Sequence, residues 1–557
     1  MLADQIRDAL ARRRARSTLR ALTVHDTTAR RIPDRVGEAG EVAASSSAAP
    51  TLTSDDQRLV DFSSNDYLSL ASSQEMRQAF VQRVLSASSN PLGSTGSRLL
   101  DGNSVEHEQL EQRLAHFFQA SSALFFGSGF EANVSIFSTL PQPGDLILYD
   151  ELIHASVHDG MRQSRAAHRI PFRHNDLGHL ERLLKGFCTW TDQSSSTAAS
   201  CSSSSSRSND VDAETCARFA LALQGRQVNV FVAVESVYSM DGDICPLPAL
   251  LDLVERHVPQ ECLHVVVDEA HSTGIYGPGG RGLCAELGVH GKPNPYSRDR
   301  VRVRLATFGK ACGASGAAVL CDPLLREYMI NYARPFIFST APPQAVVMAA
   351  HSSLDMLERE DVGGKRRRLV VERTQELLDG LRRIAGDVAG SEGSLKGRLL
   401  VALVPSLAST TADPFATPHP VLPPSPIVPL LTPHPRQLSA YLRSRGFLVR
   451  PISYPTVPLG QDRVRICLHS ANTKDQVGSL CTAVRDWVEE RSKASATISA
   501  PPASPSATHV AAKTSSTRHS TNVPLPAAND VSASILSAIQ ERERQARWSV
   551  PTTKPRL

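Results

Sequence analysis

Leu263-His264-Val265-Val266-Val267-Asp268-Glu269-Ala270-His271 is the stretch on which the fold turns. Residues 263–267 form a short apolar run rich in valine, which reads as a buried strand. The next four residues put two carboxylates and an imidazole at its C-terminal end. Further along, the alternating run 301–305 leads into Ala306-Thr307-Phe308-Gly309-Lys310, so an amine emerges from a second strand end. Open α/β sheets bind ligands at the carboxyl ends of their strands. A carboxylate placed to face a ring nitrogen, plus a lysine able to form a Schiff base, is what pyridoxal phosphate chemistry requires.

Apolar runs at 123–126, 146–149 and 228–234 precede this pair, separated by helical patterns, as parallel βα units are. The compact α/β region runs from about residue 59 to 321, interrupted by a serine-rich stretch at 189–214 that includes Ser202 to Ser206. That composition cannot support a core and predicts a disordered surface insert. A long helical pattern, 342–383, is broken at Gly363-Gly364. A smaller α+β domain is expected from strand-like 398–404, helix-like 435–445 and alternating 463–468, with a proline-rich segment at 413–435 read as extended and mobile. The expected layout is a helical arm and connector (1–56), a large domain (57–340), a small C-terminal domain (341–491) and a disordered tail (492–557) holding a helical patch at 532–547.

With 557 residues, 41% of them hydrophobic, the chain can bury a large core. Its net charge of +4 is nearly balanced, and there is no basic and aromatic module for nucleic acid. The ten cysteines form no CxxC pair and no metal-ligand spacing, so free thiols and no metal are expected. No apolar stretch approaches the length of a membrane span, and the chain reads as soluble and intracellular. The arginine-rich helical pattern at 1–20 could suit a mitochondrial presequence, but Asp4 and Asp8 fit that poorly. Pro555-Arg556-Leu557 is a relative of the Ser-Lys-Leu peroxisomal address, which makes a peroxisomal import receptor an expected partner and the cytoplasm the alternative location.

Each candidate residue has an ordinary alternative. Asp268 at a strand end can simply cap a helix, and His271 can be a satisfied polar residue; Lys310 raises the weight of both. Lysine is usually solvated, yet Lys310 sits between Gly309 and Gly313-Ala314-Ser315-Gly316, small residues that leave room for a cofactor. Gly127-Ser128-Gly129-Phe130 links a strand to a helical pattern and offers backbone N–H groups to a phosphate, or is a plain turn. It lacks the G-x-G-x-x-G of a dinucleotide site. His154, Ser239 and Thr307 also end strand-like runs. They suit stacking on a ring, bonding a phenolic oxygen and binding phosphate, or equally a structural histidine, a turn serine and strand filling.

Taken together these residues resemble the α-oxoamine synthases, pyridoxal-phosphate enzymes of the aspartate aminotransferase-like fold (fold type I). The resemblance covers most of residues 1–490 in the family's order. It is carried by Asn65-Asp66-Tyr67-Leu68, by Gly93-Ser94-Thr95-Gly96-Ser97-Arg98 with Gly102-Asn103 and His107, and by the two cofactor motifs at Asp268 to His271 and Thr307 to Lys310. Gly313-Ala314-Ser315-Gly316-Ala317-Ala318-Val319-Leu320-Cys321 and Pro455-Thr456-Val457-Pro458 are similar to the branch that joins L-alanine to a pimeloyl thioester in biotin formation. Branches that use glycine or serine commonly have Gly-Gly where Ala317-Ala318 stand.

The resemblance implies an acyltransferase in which Lys310 carries the cofactor as a Schiff base, Asp268 pairs with its ring nitrogen and His271 contacts its ring substituents. It implies His154 stacking over the ring, Ser239 at the cofactor, and Gly129, Phe130 and Thr307 at the phosphate. Arg20, Asn65, His154 and Thr456 fall at substrate-contacting positions, and Arg465 at the arginine that grips the amino-acid carboxylate. Thr340 is expected to reach the phosphate from the partner chain of a homodimer. The departures are a longer stretch at 288–300, Asn472 where the family often has histidine, the two inserts and the tail. A non-catalytic partner subunit is the rival from another class; such subunits typically lose the lysine that Lys310 supplies.

A fluorescent fusion of the full chain is expected in peroxisomes, and in the cytosol once residues 555–557 are deleted; retention in peroxisomes after the deletion would rule the tail out as the signal.

Overall fold

Long apolar runs become strands here because both faces of the main sheet are covered, so no alternation with polar residues is needed. The computed structural model describes residues 2–15, 59–87, 92–188, 213–289, 300–389, 400–401 and 422–499. After β1 (Val60–Asp61) come the seven strands of the main sheet: β2 (Ser122–Phe126), β3 (Leu146–Asp150), β4 (His168–Phe172), β5 (Val230–Glu235), β6 (Leu263–Asp268), β7 (Val303–Thr307) and β8 (Ala317–Cys321). They lie in the order β2-β8-β7-β6-β5-β3-β4. From β7 to β4 the strands are parallel; β8 runs against both β7 and β2. The chain is thus an α/β protein with a mostly parallel sheet.

Register does the positioning. Thr307 and Phe126 both face Ala317, Leu305 faces Asp268, and Asp268 faces Glu235. Four strands therefore end, and β8 begins, along one edge of the sheet. Helices Gly129–Thr139, Ala155–Arg162 and Pro323–Tyr332 cover one face through Ile136, Phe137, Val157, Met161 and Met329. Helices Leu177–Cys188, Ala213–Gln224 and Leu247–His257 cover the other through Leu180, Leu184, Phe219, Leu250 and Val254.

A second, antiparallel sheet is built from β9 (Leu400–Val401), β10 (Ile427–Leu431), β12 (Arg450–Ile452) and β13 (Arg463–Cys467), in the order β12-β13-β10-β9. Strand β11 (Phe447–Leu448) pairs in parallel with β1, and Phe62 enters the core of this smaller sheet. Helices Lys365–Ala389, Pro435–Ser444 and Lys474–Ser499 pack on it through Leu377, Leu381, Leu438, Leu442, Leu480 and Val484.

Two expectations from composition are corrected. Residues 427–431, read as part of a mobile proline-rich segment, form β10, paired on both sides, with Ile427, Val428 and Leu430 buried. Leu468 N–H donates to Pro426 O and Thr432 N–H to Asp462 O, so the even-numbered residues bond toward β13. Pro429 turns its missing N–H to the opposite side, where the pairing with β9 reaches only Leu430 and Leu431. The second correction is at the tail: residues 492–499 continue the helix Lys474–Ser499, since extending a packed helix costs far less than starting one. Residues 189–212, 413–421 and 500–557, with Arg20 and the 532–547 patch, lie outside the described residues. Among those described, no helix is long and apolar enough to cross a membrane, and no His, Cys, Asp and Glu side chains cluster as metal ligands.

The loop after β5 is held by a half-buried charge clamp. His174 Nδ1 lies 2.9 Å from Asp150 Oδ1, at the end of β3, and Nε2 lies 2.6 Å from Asp243 Oδ2. Burial alone would lower the His174 pKa; the hydrogen bonds to Asp150 and Asp243 outweigh it and push it up to about 10. A raised folded-state pKa stabilises fully below the ordinary histidine value of about 6.5, and that contribution is lost as pH rises toward 10. His174→Gln is expected to cost about 3 kcal/mol at pH 7 and to flatten the fall of Tm between pH 7 and 10. Melting curves of the two proteins across that range that run parallel would show that the clamp is not charged.

Candidate active site

The strand ends converge on a cavity of about 220 Å3 lined by Gly129, His154, Glu235, Asp268, Thr307 and Lys310, with His271 and Asn133 also in its wall. Lys310 gets there because the chain leaves β7 at Thr307, turns through Phe308 to Gly316, and returns as β8. Gly313 N–H bonds Lys310 O, Ala314 N–H bonds Phe308 O, and Phe308 N–H bonds Gly316 O. Gly316 has φ +96° and an added Cβ would meet the Phe125 ring at 2.2 Å, so this turn has to carry glycine.

Lys310 Nζ lies 2.8 Å from His271 Nε2. Burial draws the lysine pKa down, with Asp268 and Glu235 pulling the other way. His271 is lowered well below its ordinary value, by burial first and then by Lys310, Arg465 and His154, so its ring is neutral. Glu235 is pushed well above the carboxylate range by burial and by the facing Asp268. Asp268 is held rigidly: Oδ1 accepts from Ala270 N–H at 2.9 Å and Oδ2 from Asn133 Nδ2 at 2.8 Å. Asn133 also donates to Ser156 Oγ at 3.0 Å, and Ser156 lies 2.7 Å from His154 Nδ1. Burial lowers the His154 pKa against the pull of Asp268.

At the other end of the cavity Ser128 caps the helix Gly129–Thr139, its Oγ accepting from Glu131 N–H at 3.2 Å. The first helical bond runs from Ala132 N–H to Ser128 O, which leaves the Gly129 and Phe130 N–H groups outside the ladder at the helix's positive end. A Cβ on Gly129 would lie 2.7 Å from Thr307 Cγ2, so only glycine lets the helix start against the end of β7. This arrangement fits pyridoxal phosphate group by group: an amine for its aldehyde, a fixed carboxylate for its ring nitrogen, an imidazole at the rim, and a helix N-terminus for its phosphate.

Other expected residues are placed differently. Arg465, on β13, donates from Nη1 to Ser239 O at 3.0 Å and from Nη2 to Asn65 Oδ1 at 3.3 Å, while its buried Nε has no partner. A donor face held open in this way suits a carboxylate. Ser239 stands behind Arg465 and not in the cavity wall, contributing its carbonyl. Thr340 and Thr456 are exposed and are not among the residues that line the cavity, and Arg20 lies outside the described residues. Ala317 and Ala318 are fully buried in β8 and do not line the cavity. Sequence reasoning passed over Asn133, Ser156 and Glu235. Asn133 sits one helical turn beyond Gly129, and Glu235 ends the apolar run 230–234, the same strand-end signal that picked out Asp268.

Residues 57–484 match the family model described as aminotransferase class I and II. The 8-amino-7-oxononanoate synthase of Emericella nidulans is 39% identical over 443 residues, covering 79% of this chain and 92% of that protein. The aminoacyl transferase sphA of Byssochlamys spectabilis is 32% identical over 445 residues, covering 78% and 82%. The crystal structure of 8-amino-7-oxononanoate synthase from Francisella tularensis is 25% identical with a TM-score of 0.54, covering 78% of this chain and 99% of that one. With most of its length matched and the lysine, aspartate and histidine gathered at one sheet edge, the chain belongs to the class I and II aminotransferase family, in its α-oxoamine synthase group.

Proposed function

We propose that this chain is a pyridoxal-phosphate-dependent acyltransferase that condenses L-alanine with a pimeloyl thioester, releasing the thiol and CO2 to give 8-amino-7-oxononanoate. The observation that carries the reading is Lys310 at 2.8 Å from a neutral His271, in one cavity with a carboxylate fixed by two hydrogen bonds. The choice of substrates is supported by the 39% identity to the Emericella nidulans synthase. Pyridoxal phosphate, when bound, supplies the electron sink for the pair left at the amino-acid Cα.

The chain's own groups divide the remaining work. Arg465, with Asn65, seats the alanine carboxylate by a planar, two-point grip that lysine could not reproduce. Lys310 takes the Cα proton; burial lowers its proton affinity, which favours the free amine that a base must be. The new C–C bond joins that Cα to the thioester carbonyl carbon as the thiolate leaves. The original carboxyl group departs as CO2, and Lys310 returns a proton to the same carbon. Asp268 aims its carboxyl group where positive charge must be held, and Asn133 prevents it from turning away. His154 stands in the cavity wall, placed to stack on the cofactor ring.

A second reading, an α-oxoamine synthase using another amino acid or acyl chain, is favoured by the 32% identity to the Byssochlamys spectabilis aminoacyl transferase. The chain is further proposed to act as a homodimer in which Thr340 reaches its partner's phosphate site. Supporting this, Leu92, Leu100 and Phe338 leave large apolar side chains exposed near that loop, which is tied to the glycine-rich segment by Ala341 N–H to Gly96 O and Gln344 N–H to Leu92 O.

Incubation with pimeloyl-CoA and each of alanine, glycine and serine is expected to yield 8-amino-7-oxononanoate from alanine at the highest kcat/KM, on a protein sedimenting at twice the chain mass. A preference for glycine or serine, or for a different acyl chain, would select the second reading. Lys310→Ala is expected to abolish turnover, since alanine can be neither covalent anchor nor base. Asp268→Asn should still bind cofactor but lose on the order of a thousand-fold in rate. Borohydride reduction should fix the cofactor to Lys310 alone; peptide mapping that finds it on another lysine removes Lys310 from this role.

A further inference from the structure

Lys310 is joined to Asn65 and Arg465, the proposed carboxylate grip, by an unbroken line of hydrogen bonds. From Nζ the line runs 2.8 Å to His271 Nε2, then 2.8 Å from Nδ1 to the Tyr67 hydroxyl. Tyr67 donates to Asn65 Oδ1 at 3.3 Å, and the same oxygen accepts from Arg465 Nη2 at 3.3 Å. The directions follow from what each group can do. Asn65 Oδ1 can only accept, so Tyr67 donates to it and the Tyr67 oxygen is left to accept from His271. The neutral His271 ring carries a single proton, which therefore sits on Nδ1 and is donated to the Tyr67 oxygen. Burial raises the Tyr67 pKa, so the hydroxyl keeps its proton, and that proton points at Asn65. Asn65 Oδ1, between two donors, stops the line.

Packing does not account for the hydroxyl. The Tyr67 ring is fully buried in the main core, where phenylalanine would pack equally well, and an unused hydroxyl there would be costly. We propose that Tyr67 is a positioning residue: its hydroxyl holds His271 in the tautomer whose Nε2 accepts from Lys310, and ties that histidine to the Asn65 and Arg465 pair. The inference rests on Lys310 being the proton-transfer group of the proposed reaction. The charged and titratable groups facing Lys310 are Asp268 and Glu235 from the strand ends, His154 and His271 from the loops, and Arg465 from β13. Of these, only His271 bonds the lysine nitrogen directly among the described contacts.

The test is made on the full-length chain stripped of cofactor, by competitive acetylation with acetic anhydride across a pH series, with the Lys310 peptide followed by mass spectrometry. In Tyr67→Phe the His271 proton has no acceptor at Nδ1 and can move to Nε2, where it confronts the lysine donor against donor. The Lys310 midpoint is then expected to fall by about one pH unit, tenfold in proton affinity. Asn65→Ala leaves the tyrosine ring in place but frees its proton to turn toward Nδ1, and should shift the midpoint the same way. In a His271→Asn background, Tyr67→Phe should add nothing, because the intermediary is gone. A midpoint unchanged in both single variants, or a full shift persisting in the His271→Asn background, overturns the proposal. Because the readout needs no acyl substrate, an unchanged midpoint in a chain that makes 8-amino-7-oxononanoate defeats the relay alone. A shifted midpoint in a chain that makes another product defeats only the choice of substrates.

Discussion

The ion pair between Arg463 and Asp241 is the contact on which the completed site depends. Arg463 is almost wholly buried at the start of β13, and Asp241 lies in the loop that leaves β5 of the main sheet. Burial pushes the Asp241 carboxyl up, and the Arg463 charge opposes that rise. Two residues further along β13, Arg465 holds Ser239 O of the same loop. Gly242, at φ +69°, brings this loop so close to β10 that an added Cβ would fall 2.1 Å from Ile427 O. A buried pair of this kind contributes little net stability, but losing one partner strands a charge in the interior, at about 3–5 kcal/mol. Its value lies in fixing one arrangement of the small sheet against the large one. That arrangement brings Arg465 and Asn65 onto the line of hydrogen bonds that starts at Lys310.

The electrostatics of the cavity follow from that enclosure. Lys310 and His271 are both drawn toward their neutral forms, while Glu235 is drawn toward its protonated one. Burial is the largest cause in all three, and the carboxylate and guanidinium beside them are held by fixed partners. Asp268 has Asn133 and the Ala270 amide, and Arg465 has the Ser239 carbonyl and Asn65. A site organised in this way suits chemistry in which a proton leaves carbon and negative charge has to be received without reorganising water.

Much of the site was legible because strand ends advertise themselves. Asp268, Thr307 and Lys310 each follow an unmistakable apolar run, and in a parallel sheet all such ends fall on one edge. Glu235 carried the same signal but was passed over, since a glutamate before Ser236 also reads as the exit from a strand. Asn133 and Ser156 lie inside or at the start of helices, where no local pattern marks the face that meets Asp268. Strand β10 was hidden by composition: Pro423, Pro424, Pro426 and Pro429 surround an apolar core of four residues. The one interior proline is tolerated only because its missing N–H faces away from β13.

The sequence by itself determined the alternation of strands and helices, the mostly parallel sheet, and the placement of a carboxylate, an imidazole and an amine at its edge. Those are local consequences of apolar periodicity, strand length and glycine-rich turns, each readable within ten or so residues. Tertiary structure alone decided which side chains touch. Lys310 meets His271 across 39 positions, Asn133 meets Asp268 across 135, and Arg465 meets Asn65 across 400. Such pairings are set by register, by helix rotation and by how the small sheet seats on the large one. These depend on packing summed over the whole core, and no short stretch of sequence encodes that sum.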